Sequence, residues 1–289
     1  MAIVSFDNIK ISAISVCVPP QKITNREFGK TLFDNEESLV KIIDTIGVEE
    51  RRVSSKQVCS SDLCFEAAQR LIDQMSIDRE SIDAVLFVSQ TPDYRLPATA
   101  CVLQNRLGFS KSTLAFDVNL GCSGYVYGLY LAFSLINKNI NRVLLLVGDT
   151  PTKFTSTNDK SSALIFGDAG SATLIESSES AVNSFFSLHT DGSGFEALNI
   201  PTGAYRNMSN AIGLSENRGI DGNLRNSEQL YMDGAEIFNF TIREVPKSIK
   251  LLFEEFSIDL DKIDKVYFHQ ANKFMLDFLL KKIKISSDK

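Results

Sequence analysis

The sequence predicts an α/β protein: a mostly parallel sheet covered by helices on both faces. Three observations carry that prediction. Short, almost wholly apolar runs such as 84–89 and 142–147 have the composition of strands buried on both sides. Helical segments separate them, as the connections between parallel strands require. The chain has 289 residues, 44% of them hydrophobic, enough for two domains or one large one with a substantial core.

The elements follow in order. Residues 9–18 read as a strand ended by Pro19-Pro20. Residues 61–72 read as a helix, with Ser60, Ser61 and Asp62 at its start and Phe65, Ala68, Leu71 and Ile72 along one face. A strand at 84–89, a helical pattern at 97–107, a strand at 114–118 and a nearly all-apolar helix at 123–136 come next. Strands follow at 142–147 and 163–175. The stretch 177–228 is rich in Gly, Ser and Asn and reads as loops joining two halves. Helical periodicity resumes after Tyr231 with Ile237, Phe238, Ile242 and Val245, then Ile249, Leu252, Phe253 and Phe256. Pro246, between these groups, is expected to start a second helix. A strand at 265–268 and a helix at 271–283 close the pattern. The chain therefore divides into a first half at 1–176, a connection at 177–230, and at 231–289 a second half that begins the same alternation and stops.

Composition narrows the function. The net charge of −6, from 30 basic and 36 acidic residues, gives no basic field for nucleic acid. The longest apolar stretch, 125–136, is interrupted by Gly128 and is too short to span a bilayer. The start Met1-Ala2-Ile3-Val4-Ser5-Phe6-Asp7 lacks the basic opening of a secretory signal. Five cysteines form no C-x-x-C pair, and with two histidines no ligand spacing supports a zinc site. The expectation is a soluble cytoplasmic protein with no metal, no cofactor and no membrane association.

Chemistry concentrates at Cys122. A strand runs through Ala115-Phe116-Asp117-Val118 into Asn119-Leu120-Gly121-Cys122-Ser123-Gly124, and the apolar helix begins at once. A cysteine at a helix N-terminus meets unpaired N–H groups and a dipole that favour its thiolate. The same N–H groups can donate to an oxyanion. From local context alone, a buried cysteine in a tight turn remains an equal alternative. His269 follows the 265–268 strand, where open α/β sheets place their ligand sites, and is the base candidate. His189 precedes the turn Asp191-Gly192-Ser193-Gly194 and is read as structural.

Taken together, Asp117-Val118-x-x-Gly121-Cys122-Ser123-Gly124, Phe166-Gly167-Asp168-Ala169-Gly170-Ser171-Ala172 and His269-Gln270-Ala271-Asn272 resemble β-ketoacyl-acyl-carrier-protein synthase III, a thiolase-fold condensing enzyme. Supporting strings lie at Gly47-Val48-Glu49-Glu50-Arg51-Arg52, Leu96-Pro97-Ala98-Thr99-Ala100 and Met232-Asp233-Gly234-Ala235-Glu236-Ile237-Phe238. The resemblance implies a thiolase-like five-layer αβαβα sandwich of two pseudo-duplicated halves, here with an incomplete C-terminal half. It implies that Cys122 takes an acyl group from acyl-CoA or an acyl-carrier substrate, and that its backbone N–H serves the oxyanion hole. His269 would hydrogen-bond the thioester carbonyl of malonyl-acyl-carrier protein during decarboxylation. Asn272 would line the pantetheine channel, and Leu96 would enter the acyl pocket of a homodimer partner. Gly167, Asp168 and Gly170 would form a structural turn.

Three positions depart from the family pattern. Lys41 and Thr45 stand where a tryptophan and an arginine grip coenzyme A, and the chain has no tryptophan. Phe274 stands where an arginine meets the carrier protein, although Lys273, Lys281 and Lys282 could supply a basic patch. No Gly-Asn-x-Ser/Thr string follows His269; Gly222-Asn223 precedes it and leads into Leu224-Arg225. The third member of the Cys-His-Asn triad is thus expected to be absent from these 289 residues, which would then condense poorly. Two alternatives stand beside the condensing enzyme: a truncated or non-catalytic partner subunit, and acyl transfer or thioester hydrolysis without condensation.

Overall fold

The computed structural model describes residues 2–180, 183–286 and 288–289. Its centre is a five-stranded sheet of β2 (Ile9–Cys17), β5 (Ala84–Val88), β6 (Leu114–Val118), β7 (Arg142–Asp149) and β8 (Ala169–Ser177), in the order β2-β8-β7-β5-β6. β5 pairs in parallel with both β6 and β7, whereas β8 runs antiparallel to β7 and to β2. The sheet is therefore mixed rather than mostly parallel. The connection from β7 returns without a crossover helix, so β8 must lie antiparallel beside it. The residues 163–168, expected to open this strand, are turns, and β8 starts at Ala169.

Five layers can be counted outward from this sheet. On one face lie α3 (Ser60–Met75) and α4 (Thr99–Arg106), burying Cys64, Ala67, Ala68, Leu71 and Leu103 against Val85, Phe87, Leu144 and Leu146. On the other face lies α5 (Gly124–Leu135), whose Ala132 and Phe133 meet Leu86, Val143 and Leu145. Successive strand residues point to opposite faces, so Leu144 and Leu146 serve one core and Val143 and Leu145 the other. Beyond α5 lies a second, two-stranded sheet, β1 (Ala2–Asp7) antiparallel to β9 (Asn183–Leu188). Sequence reading leaves both as loop or tail. Their strand character comes from alternation on β9: Phe186 turns inward onto Phe6 and Phe133, while Phe185 turns outward and stacks on Phe256 at 4.2 Å. Phe256 directly follows α6 (Gly234–Glu255), which forms the fifth layer with α7 (Lys273–Ile283) beside it.

α6 is one helix, not two, with Pro246 inside it. A proline has no N–H to offer the carbonyl four residues back, which is that of Ile242. Here Lys282 Nζ of α7 donates to that oxygen at 2.6 Å, so the break is filled from a neighbouring helix. The expected strand at 265–268 is absent. Its apolar residues find no ladder partner: Val266 N–H donates to Lys289 O, and Tyr267 is 90% exposed. The remaining elements are local: the β3 (Lys22–Thr24) and β4 (Glu50–Arg52) pair, a one-turn α1 (Asn25–Phe28), and α2 (Glu36–Ile46) ending at Gly47 with φ +70°. The long connection contributes two-residue pairs, β10 (Leu198–Asn199) with β13 (Tyr231–Met232) and β11 (Asn217–Arg218) with β12 (Leu224–Arg225). Among the described residues no helix is long and apolar enough to cross a membrane.

Candidate active site

β6 is an edge strand, and it delivers its chain directly to the turn that holds Cys122. Asp117 on β6 accepts the N–H groups of Thr99 and Ala100, both at 2.7 Å, and so caps α4. After Val118 the chain folds sharply, with Gly124 N–H donating to Gly121 O at 2.7 Å before α5 begins. Two glycines permit this approach. A Cβ on Gly124 would lie 2.8 Å from Val88 Cγ1, and one on Gly121 would lie 2.9 Å from Gln90 Cδ. No acceptor within the chain takes the Cys122 N–H among the described residues, as a prospective oxyanion donor requires.

The protonation of Cys122 differs from expectation. Its side chain reaches the surface, yet surrounding protein desolvates the sulfur and pushes the thiol above its ordinary value, with Asp149 adding to the rise. The helix N-terminus does not offset this, because α5 starts at Gly124 with Ser123 as its cap, leaving Cys122 outside the first turn. The resting nucleophile is a thiol, and its deprotonation must accompany attack on the substrate.

His269 lies in the segment ahead of α7. Ala271 N–H donates to His269 O at 3.0 Å, and the Asn272 side chain caps α7 by accepting Met275 N–H at 2.8 Å. Partial burial lowers the imidazole below its usual range, so it is neutral near pH 7. Neutral imidazole can donate a hydrogen bond without carrying charge. The α7 entrance rests on the Gly47 turn, where a Cβ would come 2.6 Å from Lys273 Cβ. No hydrogen bond joins Cys122 to His269. Leu96 is 78% exposed on the loop leading to α4. His189 is structural: its Nε2 bonds Ser187 Oγ at 2.7 Å, and its carbonyl accepts Tyr127 OH at 2.9 Å.

The departures from the family pattern also have places in the fold. Lys41 and Thr45 are exposed on α2, and Thr45 Oγ1 is spent on Lys41 O at 2.7 Å. Phe274 stacks on Phe238 of α6 at 5.3 Å. Of the prospective basic patch, Lys273 pairs with Asp277 and Lys282 with the Ile242 carbonyl. Asn223 is buried structure: its Oδ1 accepts Lys160 N–H at 3.0 Å, and its Nδ2 donates to Asp221 at 3.1 Å. Gly170 lies within β8, and the buried Asp168 accepts Ser54 N–H and Thr152 Oγ1, each at 2.7 Å. Sequence reading missed Asp149, which binds the end of β5; no local signal marks it, because its partners lie 58–60 residues away. Among the described residues no cluster of His, Cys, Asp and Glu could hold a metal ion.

A layered αβαβα fold with a cysteine at the exit of a central-sheet strand defines a thiolase-fold protein of the condensing class. A profile of the family described as 3-Oxoacyl-[acyl-carrier-protein (ACP)] synthase III matches residues 116–194, which include Cys122. A Campylobacter jejuni protein provisionally named 3-oxoacyl-[acyl-carrier-protein] synthase 3 is 39% identical over 285 residues, covering 98% of this chain and 80% of its own length. A β-ketoacyl-[acyl-carrier-protein] synthase III of Streptococcus pneumoniae is 32% identical over 281 residues, covering 97% and 82%. The crystal structure of a 3-oxoacyl-(acyl-carrier protein) synthase from Burkholderia xenovorans superposes with a TM-score of 0.91 at 39% identity, covering 99% of this chain and 80% of that one. The chain belongs to the 3-oxoacyl-acyl-carrier-protein synthase III family and is an enzyme of that acyltransferase type.

Proposed function

We propose that the enzyme catalyses a decarboxylating Claisen condensation between an acyl group carried on Cys122 and malonyl-acyl-carrier protein, in fatty acid or related lipid synthesis. The observation that carries this reading is the family relationship across 98% of the chain, with Cys122 and His269 both retained. In the first step the Cys122 sulfur, losing its proton, attacks the thioester carbonyl of the acyl donor and expels the donor thiol. The backbone N–H of Cys122 donates to the developing oxyanion. In the second step the neutral imidazole of His269 donates to the malonyl thioester carbonyl as carbon dioxide leaves. The enolate carbon then attacks the acyl-cysteine, the carbon–sulfur bond breaks, and a β-ketoacyl thioester departs on the carrier. Asn272 borders the pantetheine path through its Nδ2, since its oxygen caps α7.

Cys122→Ala should abolish covalent labelling by a radiolabelled acyl donor; undiminished labelling would overturn the assignment. His269→Ala should leave labelling in place and suppress release of carbon dioxide from malonyl-acyl-carrier protein. The engagement of Thr45 with its own helix favours a carrier-bound acyl donor over acyl-CoA. Comparison of loading from the two donors tests this, and faster loading from acyl-CoA would reverse it. We further propose a cytoplasmic homodimer. The open edge of β6 and the exposed Leu96 support the dimer, and five free cysteines suit a reducing compartment. A monomer by sedimentation at micromolar concentration would overturn the dimer.

A further inference from the structure

Asp149 is a half-buried carboxylate at the end of β7 that the proposed chemistry does not use. Its Oδ1 accepts three hydrogen bonds from the chain leaving β5: Ser89 Oγ at 2.9 Å, Gln90 N–H at 2.7 Å and Thr91 Oγ1 at 2.9 Å. The arrangement extends in two directions. Thr150 N–H donates to Thr91 Oγ1 at 3.0 Å, and Ser60 Oγ of α3 donates to Thr91 O at 2.9 Å. The end of β5 is therefore clamped between β7 and α3. Three converging donors on one carboxylate oxygen make this a structured anchor rather than a chance contact.

The clamp points toward the nucleophile. With its N–H held by Asp149, Gln90 lays its side-chain amide over Gly121, the residue before Cys122, close enough that a methyl group there would collide with it. The Gly121–Cys122 peptide carries the prospective oxyanion donor, so a brace on Gly121 sets the direction of that N–H. Asp149 is also the charged group that acts on the Cys122 sulfur among the described residues. From α3, Cys64 faces the same carboxylate; its thiol is pushed up to about 12 by burial and stays neutral, so it does not compete as a charge.

We propose that Asp149 and Gln90 are positioning residues for the nucleophile. Asp149 anchors the end of β5 so that the Gln90 amide braces the Gly121–Cys122 peptide, and its negative charge keeps the resting sulfur protonated. The proposal rests on the reading of Cys122 as the nucleophile. Its consequence is counterintuitive, because removing the charge should make Cys122 more reactive toward a simple alkylating agent while loosening the brace should make it less competent with acyl donors.

The experiment measures alkylation by iodoacetamide on the full chain from about pH 6 to pH 10, read by mass spectrometry of the peptide containing Cys122. Asp149→Asn keeps an acceptor oxygen and removes the charge. The midpoint should move to lower pH, with alkylation near neutral pH rising roughly 3- to 10-fold. Gln90→Ala should leave the midpoint in place and lower acyl loading roughly 10-fold through misplacement of the turn. A purely structural Asp149 would move neither midpoint. An unshifted midpoint in Asp149→Asn, or unchanged acyl loading in Gln90→Ala, overturns the proposal. If Asp149→Asn fails to fold, Gln90→Glu supplies the opposite sign: a new charge beside Gly121 must raise the midpoint, and absence of that rise also overturns it. Iodoacetamide needs no acyl substrate. Shifted midpoints in an enzyme that loads no acyl group would therefore refute the condensing function without refuting the effect of Asp149 on Cys122.

Discussion

Gly170→Ala should cost about 3–5 kcal/mol, because the atom it adds has nowhere to go. Gly170 sits on β8 beneath α3, and a Cβ there would lie 2.5 Å from Cys64 N, 2.6 Å from Leu63 C and 2.7 Å from Leu63 Cβ. Ordinary carbon contacts need about 3.5–4.0 Å, so the shortfall is about 1 Å. Two of the three obstructing atoms are helix backbone, which cannot rotate aside. α3 must instead withdraw from the sheet along the face that buries Cys64, Ala67, Ala68 and Leu71. A gap of about 1 Å forfeits up to half of the dispersion energy across that face, which places the cost at or above the usual 1–3 kcal/mol for overpacking. Urea unfolding followed by circular dichroism measures it. A parallel thermal scan should show a fall of at least about 6 °C, at roughly 2 °C per kcal/mol for a chain of this size. Gly192→Ala, where a Cβ meets nothing within 4 Å, is the control and should stay within about 0.5 kcal/mol of the parent. If Gly170→Ala unfolds within about 1 kcal/mol of the parent, the packing of α3 on β8 is not as close as described.

Three further outcomes are expected. Asp168→Ala leaves the Ser54 and Thr152 donors unpaired in a buried site and should cost about 3–5 kcal/mol in urea unfolding, with Asp168→Asn recovering part of it. Phe186→Ala removes the ring that meets Phe6, Tyr130 and Phe133, and should cost about 3 kcal/mol; a loss under about 1 kcal/mol would show that the second sheet packs loosely on α5. His269 should contribute to acid sensitivity. Its folded pKa lies below the ordinary 6.5, so the unfolded chain binds the proton first. Stability from this group is complete above about pH 6.5 and is lost as pH falls through the folded value. His269→Gln should flatten that part of the pH–stability curve, and an unchanged curve would show that the imidazole is not desolvated.

What could be read from the sequence was whatever depended on neighbours in the chain. The run Leu114-Ala115-Phe116-Asp117-Val118 forms β6 with the expected ends, and the turn at Gly121-Cys122 follows from it. β9 was not legible, because Phe185 and Phe186 lie in a Ser- and Asn-rich stretch and become a strand only against β1, some 180 residues earlier. The opposite happened at 265–268, where an apolar run lacks a partner and forms no strand. At the site, Cys122 and His269 were identifiable, but the protonation of Cys122 was not. It depends on crowding around the sulfur and on Asp149, which comes from another strand. The α6 boundary at Pro246 failed for the same reason, since the group that completes the helix belongs to α7.

That completion sets local regularity against the mutual placement of two helices. Pro246→Ala would restore an N–H to α6 and give the Ile242 carbonyl its ordinary helical acceptor role. It would also take that oxygen away from Lys282, the ammonium that moors α7. Asn272 caps α7 just beyond His269, so the angle at which the imidazole is presented depends partly on where α7 is moored. A substitution chosen to improve helix propensity would thus stiffen one element while freeing the other, and the change would be felt at the histidine. The proline is better understood as the socket that holds the second helix than as an interruption of the first.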